Sequence, residues 1–323
     1  MRRPLLTIAR ALTCALLLCG HAIGHAQDAD SVYTAGRHSE FKRSAVGAAI
    51  GLGINASVTE LLKASIHERR PDGSGNRSFP SRHTSYAVTI ATIASHELYR
   101  HSPFWVTAFH TAANAVAMQR VLADRHYAGD VLAGAAIGLI SAETGYALSD
   151  LIFGNAGHRR TAFAYDNMPV LSAETAALIP FHSHGSGRSI STGIEAALRL
   201  SLPIGDYLGF GASARLRSHP LYIDGGYVGA LNSVGLTADV YAVRSVFDGS
   251  WAVDARVSAG LLRNFNRPYH LAASWSPLVD ITAGLGRKLS RNFVIEGRVG
   301  LDIADRPGPW SALKLALVTK AEF

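Results

Sequence analysis

Residues 251–262 read WAVDARVSAGLL. Trp251, Val253, Ala255, Val257 and Ala259 alternate with Ala252, Asp254, Arg256 and Ser258. A period of two with charge on one side is a β-strand with one wet face and one apolar face. The same alternation appears in ISTGIEAALRLSLPI, NFVIEGRVGLDI and ALKLALVTKAEF. It divides the chain from residue 170 onward into eight segments: 170–182, 190–204, 206–218, 227–246, 250–264, 269–287, 291–305 and 310–323. Their connections alternate in character. IGD, FDGS and KLSRN are tight and polar, whereas HSHGSGR, SHPLYIDGG, NFNRPYH and DRPGPW are longer or richer in Gly and Pro. An even number of strands, with short turns at one end and longer loops at the other, predicts an outer-membrane β-barrel over 170–323. A soluble sandwich or barrel also alternates, but turns its apolar face inward. The length of these strands and the charge on their polar faces favour the membrane form. Leu313, Leu315 and Leu317 lie in phase with the final Phe323, in the manner of a terminal barrel strand. Both ends of the barrel segment then fall on the short-turn side. That side is periplasmic, which places the preceding half of the chain in the periplasm.

Upstream of a linker at 161–169 the period changes. SAVGAAIGLGINASVTELLKASIHER, TSYAVTIATIASHELYR, FWVTAFHTAANAVAMQRVL and DVLAGAAIGLISAETGYALSDLIF carry apolar residues at helical spacing, with many small residues among them. Asn55, Glu60, His96, Asn114 and Glu143 interrupt these runs, so the sequence reads as a compact, soluble all-α bundle over 27–160 rather than as spanning helices. The fold class expected is therefore multidomain, an all-α bundle followed by an eight-stranded antiparallel barrel. Residues 1–26 read as a secretory signal: Arg2 and Arg3, the apolar ALTCALLLCG, then Gly24-His25-Ala26 at the cleavage site. An uncleaved anchor is the alternative, and the apolar stretch is short for one. The two cysteines of the chain, Cys14 and Cys19, both lie in this segment, so no disulfide or thiol chemistry is expected of the mature chain.

Charged residues make up only 17% of the 323, yet the net charge is +7. That balance suits an anionic partner such as a phosphate ester or an acidic membrane surface. No long Lys/Arg run is present, so nucleic acid is not expected as a partner.

Three short pieces of the helical half carry chemistry. KASIHERRP holds Lys63 and Arg70, PSRH holds Ser81, Arg82 and His83, and RVLADRHYAGD holds Arg120, His126 and Asp130. Each piece alone is an ordinary helix end, cap or i,i+4 pair. Together they supply cations, two imidazoles, a carboxylate and a hydroxyl, the inventory of phosphoryl transfer. Lys63, Arg70 and Arg120 can neutralise the non-bridging oxygens, the guanidiniums with paired hydrogen bonds. Ser81 and the backbone N–H groups after His83 can complete the anion pocket. A neutral His126 can attack phosphorus, Asp130 can fix its tautomer, and His83 can protonate the leaving oxygen. No carboxylate cluster suggests a metal, and no cofactor is expected.

In order and spacing these pieces resemble the signature of the type 2 phosphatidic acid phosphatase superfamily, which includes lipid phosphatases, class A acid phosphatases and vanadium haloperoxidases. That signature runs Lys, six residues, Arg-Pro; Pro-Ser-Gly-His; and Arg, five residues, His, three residues, Asp. Lys63, Arg70-Pro71, Pro80-Ser81, His83, Arg120, His126 and Asp130 fit it over about residues 45–150. The resemblance implies that His126 is the nucleophile, His83 the acid and Asp130 the orienting group, with Lys63, Arg70, Ser81 and Arg120 on the phosphate. Two positions depart from the pattern. Arg82 stands where the family has glycine, crowding the anion or adding a fourth cation, and Gln119 stands where many members have serine. The function expected is a metal-independent phosphatase acting on phosphorylated membrane lipids from the periplasmic side. The alternatives are a general periplasmic acid phosphatase, a vanadate-dependent haloperoxidase and a non-catalytic barrel adhesin.

Overall fold

The computed structural model describes residues 37–98, 102–154, 168–181, 188–224, 226–247, 249–266, 275–290, 293–305 and 309–323. The expected signal segment 1–26 and residues 161–167 of the expected linker lie outside them. Four helices come first: α1 Arg37–Ser65, α2 Arg82–Leu98, α3 Pro103–Leu122 and α4 Ala128–Ile152. The strands follow: β1 Val170–Pro180, β2 Arg188–Ile190, β3 Gly193–Pro203, β4 Leu208–Ile223, β5 Gly226–Val246, β6 Trp251–Asn266, β7 Trp275–Ser290, β8 Phe293–Asp305 and β9 Pro309–Glu322. Eight of them pair antiparallel in a ring, β1–β3–β4–β5–β6–β7–β8–β9, which closes where β9 meets β1. The three-residue β2 continues β3 along the same edge of β4 after a break at 191–192, and carries too few residues for a period to show in the sequence.

Side chains in the ring alternate as the sequence requires, and the polar set points inward. Arg217 holds Asp302 through two hydrogen bonds of 3.0 and 2.6 Å and also grips Glu195. Lys314 Nζ donates to Glu195 at 2.6 Å and pairs with Glu174 at 2.5 Å. Further along the lumen, Arg298 and Lys320 share Asp254. The opposite face is apolar and bare, as at Leu236, 73% exposed, and Val240, 63% exposed. A soluble barrel has the reverse arrangement. Charge within, apolar surface without, and no open sheet edge satisfy the backbone inside a bilayer. This is a membrane-spanning barrel fold of the outer-membrane type.

The helices do not hang below the short-turn rim, as the sequence reading expects. They stand alongside the wall. Ala117, Met118 and Val121 of α3, with Ala128, Val131 and Leu132 of α4, cluster on Ala177 and Ile194, which point outward from β1 and β3. Thr107 Oγ1 donates to Leu171 O at 3.0 Å, and Thr175 Oγ1 to Asn114 Oδ1 at 2.5 Å. By length and composition, α1 from Phe41 to Ser65 and all of α4 pass the test for a membrane span, as core helices of soluble bundles also do. Four of the five polar residues that interrupt the apolar runs are paired within the assembly, while the buried Asn55 keeps an unpartnered Nδ2. His96 Nε2 lies 2.6 Å from Glu143 Oε1, Asn114 accepts from Thr175, and Glu60 pairs with Arg82. Of these pairs, His96–Glu143 and Asn114–Thr175 are turned inward, whereas Glu60 and Arg82 stay about half exposed.

Breaking one lumen pair strands the remaining charges. Arg217→Leu leaves Glu195 and Asp302 without their common partner and should destabilise the barrel by about 3–5 kcal/mol. Urea titration of the detergent-folded protein, followed by the mobility shift between folded and unfolded barrel, measures the loss. An unchanged midpoint refutes it.

Candidate active site

The three sequence pieces meet at one end of the helical bundle, where α1 and α3 finish and α2 and α4 begin. Close packing of α2 on α4 sets the geometry. A Cβ on Gly134 would lie 2.6 Å from Ser81 O, and one on Gly138 would lie 2.3 Å from Ser85 O. Only glycine lets the two backbones come this near. Ser81 N then donates to Asp130 O at 3.0 Å, joining the start of α2 to the first turn of α4.

Asp130 is the hub. Its Oδ2 accepts from Ser78 Oγ at 2.5 Å and from Tyr127 N at 3.0 Å, and lies 3.4 Å from His126 Nδ1. A carboxylate in the first turn of a helix is favoured by the helix dipole. His126 and Asp130 are both buried. Lys63, also buried, donates to Arg77 O at 2.9 Å and Ser78 O at 3.3 Å, fastening the 66–81 loop over the end of α1. The same loop is tied to the α3–α4 turn by Arg125, which pairs with Asp72 at 3.0 Å, and by Asp72 N, which donates to Asp124 O at 3.0 Å.

His83 is exposed on the open side of this cluster. Partial burial of its ring, then the positive charge of Arg120, His126, Arg82 and Arg70, hold its imidazole below the ordinary range. The Nε groups of Arg70 and Arg120 and the Nδ1 of His126 are buried with no hydrogen-bond partner. His126 Nδ1 faces Asp130, so the open capacity toward an anion is that of the two guanidiniums, beside which the two imidazoles lie. The structure thus brings Lys63, Arg70, Ser81, His83, Arg120, His126 and Asp130 together. Arg82 is turned to α1, where Glu60 holds it. Arg120 Nη1 donates to Gln119 Oε1 at 3.4 Å, so the residue in the usual serine place still supports the arginine. Among the described residues no group of three His, Cys, Asp or Glu is placed to hold a metal ion.

One site residue escapes the sequence reading. Glu68 is held against Asp130, and its carboxyl is pushed up to about 8 by burial, then by the charge of Asp130 and a hydrogen bond with it. Neutral Glu68 keeps its proton and donates a hydrogen bond to the Asp130 carboxylate. In HERRP it reads as one member of a charged run, and no spacing marks it as the neighbour of a residue sixty positions on.

Residues 44–151 match the profile of the PAP2 superfamily, so the helical half carries a PAP2 superfamily domain. A curated relative, the lipid A 1-phosphatase of Porphyromonas gingivalis, is 37% identical over 118 residues, which are 36% of this chain and 26% of that protein. The chain thus spans about a quarter of the length of the curated relative it matches. Among solved structures, the outer membrane protein OprG of Pseudomonas aeruginosa is similar over 50% of this chain and 99% of its own, at 11% identity and a TM-score of 0.37. The outer membrane enzyme PagL is similar over 47% of this chain and 99% of its own, at 13% identity and a TM-score of 0.32.

The pairing of Glu68 with Asp130 has a pH signature. Folding raises the Glu68 carboxyl from 4.5 to about 8, so the folded state holds the extra proton between these values. The stability this group contributes declines as pH rises through that window and is flat above it. Above about 8 a second negative charge stands against Asp130 and loosens the support of His126. Phosphate release by the wild type should therefore fall above about pH 8. Glu68→Gln, neutral at every pH, should carry the activity to higher pH. Coincident alkaline limbs in the two pH–rate profiles would exclude this role.

Proposed function

We propose that the protein is a phosphatase of membrane lipids that works through a phosphohistidine. What carries the reading is the convergence of two imidazoles with the unpartnered guanidinium N–H groups of Arg70 and Arg120 at the open end of the bundle. The relative named for a lipid A 1-phosphatase and the barrel in the same chain support a phosphorylated lipid as substrate.

The reaction follows from the residues. The phosphate of a monoester seats against Arg70, Arg120 and the start of α2, where N–H groups and the Ser81 hydroxyl point at it. The cations stabilise the charge that spreads over the three equatorial oxygens in the transition state. His126 attacks phosphorus through Nε2 while Asp130 steadies Nδ1. The P–O bond to the lipid breaks as the N–P bond forms, and His83 gives its proton to the departing oxygen. His83, now neutral, takes a proton from water. That water attacks phosphorus, the N–P bond breaks and inorganic phosphate leaves. Every step uses side chains of this chain.

His126→Ala should abolish phosphate release from a phosphorylated lipid and remove the acid-labile, alkali-stable label left by a 32P-phosphorylated substrate. His83→Ala should slow release by about 10²–10⁴-fold while His126 can still be phosphorylated by substrates with good leaving groups. Full activity in His126→Ala, or an unaltered label, refutes the covalent route.

A further inference from the structure

The helices pass the barrel wall from one rim to the other, and the catalytic end is not at the rim that holds the barrel's termini. The short-turn rim is made by the β3–β4, β5–β6 and β7–β8 turns and by the meeting of the two ends of the ring, where Phe323 N donates to Pro169 O at 3.0 Å. α3 starts at this rim. Val106 packs on Phe293 and Ala321, and Thr107 is bonded to the second residue of β1. α3 ends at the other rim. Just beyond it, Asp124 shares a side-chain hydrogen bond with Tyr227, which pairs with Tyr222 at the tip of the β4–β5 hairpin. A helix of 20 residues is about 30 Å long, the thickness of a bilayer's hydrocarbon core. Lys63, His83 and Arg120 lie at the Asp124 end of their helices, and Ser81 and His126 just precede the starts of α2 and α4 at the same end.

Barrels of this type keep short turns on the periplasmic side and long loops outside. Resting on the phosphatase reading above, we propose that the site opens at the external leaflet and takes its phosphate from the headgroup of a lipid of that leaflet. The lipid arrives sideways in the membrane plane, its acyl chains staying in the bilayer. The bundle suits such a route. Leu61, one turn from the end of α1, and Ile90, midway along α2, turn 67% and 55% of their surface outward, into the level of lipid chains under this placement. Arg69, Arg77 and Arg125 are exposed around the opening, at headgroup height. An anionic headgroup is drawn there by charge, and its phosphate meets Arg70 and Arg120 inside.

Single cysteines test the sidedness without any need for activity, since the chain has none beyond Cys19. Asn76→Cys places a thiol in the exposed loop over the site, and Asp206→Cys places one in the β3–β4 turn. A membrane-impermeant maleimide added to intact cells should label Asn76→Cys and leave Asp206→Cys unlabelled until the cells are lysed, with the unsubstituted full-length chain as background. The reverse pattern, or labelling of both or of neither in intact cells, overturns the external placement whether or not the enzyme releases phosphate. In a second arm, the wild type is given a phosphorylated lipid in vesicles and the same headgroup phosphate free in solution. The lipid should be favoured in kcat/KM by about tenfold or more, because the membrane concentrates it at the opening. Equal values would overturn the lipid source. No release from either substrate would instead sink the phosphatase reading and leave the labelling result standing.

Discussion

Everything about the presentation of the site depends on the contact between α3 and the barrel wall at β9, β1 and β3. Within a bilayer, lipid is as apolar as any side chain, so burial from water does not drive this contact. Close packing and hydrogen bonds must do so. The residues at the seam are suited to that: Ala113 and Ala117 on α3, Ala177 and Ala196 on the wall, with Thr107 and Thr175 making the two bonds across it. Small side chains bring the surfaces together, and threonine satisfies its hydroxyl on a neighbour. The contact fixes the height of α3, and with it the level at which α1, α2 and α4 end.

The barrel and the bundle solve the same problem in different ways. Each pairs its polar groups internally. The barrel does so by closing a ring and turning Arg, Lys, Asp and Glu into the lumen, where Arg217, Glu195, Asp302 and Lys314 satisfy one another. The bundle does so pairwise: Thr59 with Ser85, His96 with Glu143, Tyr146 with Glu97. The pairs that rigidify the bundle also hold α2 against α1 and α4, and this is the packing that sets His83 opposite His126. Stability and catalysis share the same small residues, notably Gly134 and Gly138.

At the site, charge is distributed with an evident division of labour. Lys63 spends its hydrogen bonds on the backbone of the 66–81 loop and contributes its charge from behind. Arg70 and Arg120 keep buried N–H groups open. Arg82, in the family's glycine place, is restrained by Glu60, so its side chain is directed to α1 rather than into the anion pocket. Glu68, neutral through burial and its hydrogen bond with Asp130, lets Asp130 sit buried beside Ser78 and Tyr127 without a second negative charge.

The sequence by itself determined the elements and named the residues that the fold gathers at the candidate site. A period of two with charge on alternate positions yields strands whatever surrounds them, and eight of these with alternating turn lengths define a closed ring. Lys63, Arg70, Ser81, His83, Arg120, His126 and Asp130 were legible because their spacing along helix ends is local. Only the tertiary structure decided where the helices lie, since Asn114 and Glu143 look like breaks in an apolar run until Thr175 and His96 are placed against them. It likewise decided the role of Glu68 and the direction of Arg82, because both depend on a carboxylate or guanidinium from another helix or loop. Partners distant in the chain leave no periodic trace. The side of the membrane on which the site opens is of that kind: it is set by which barrel rim the end of α3 reaches, a contact between residues about one hundred positions apart.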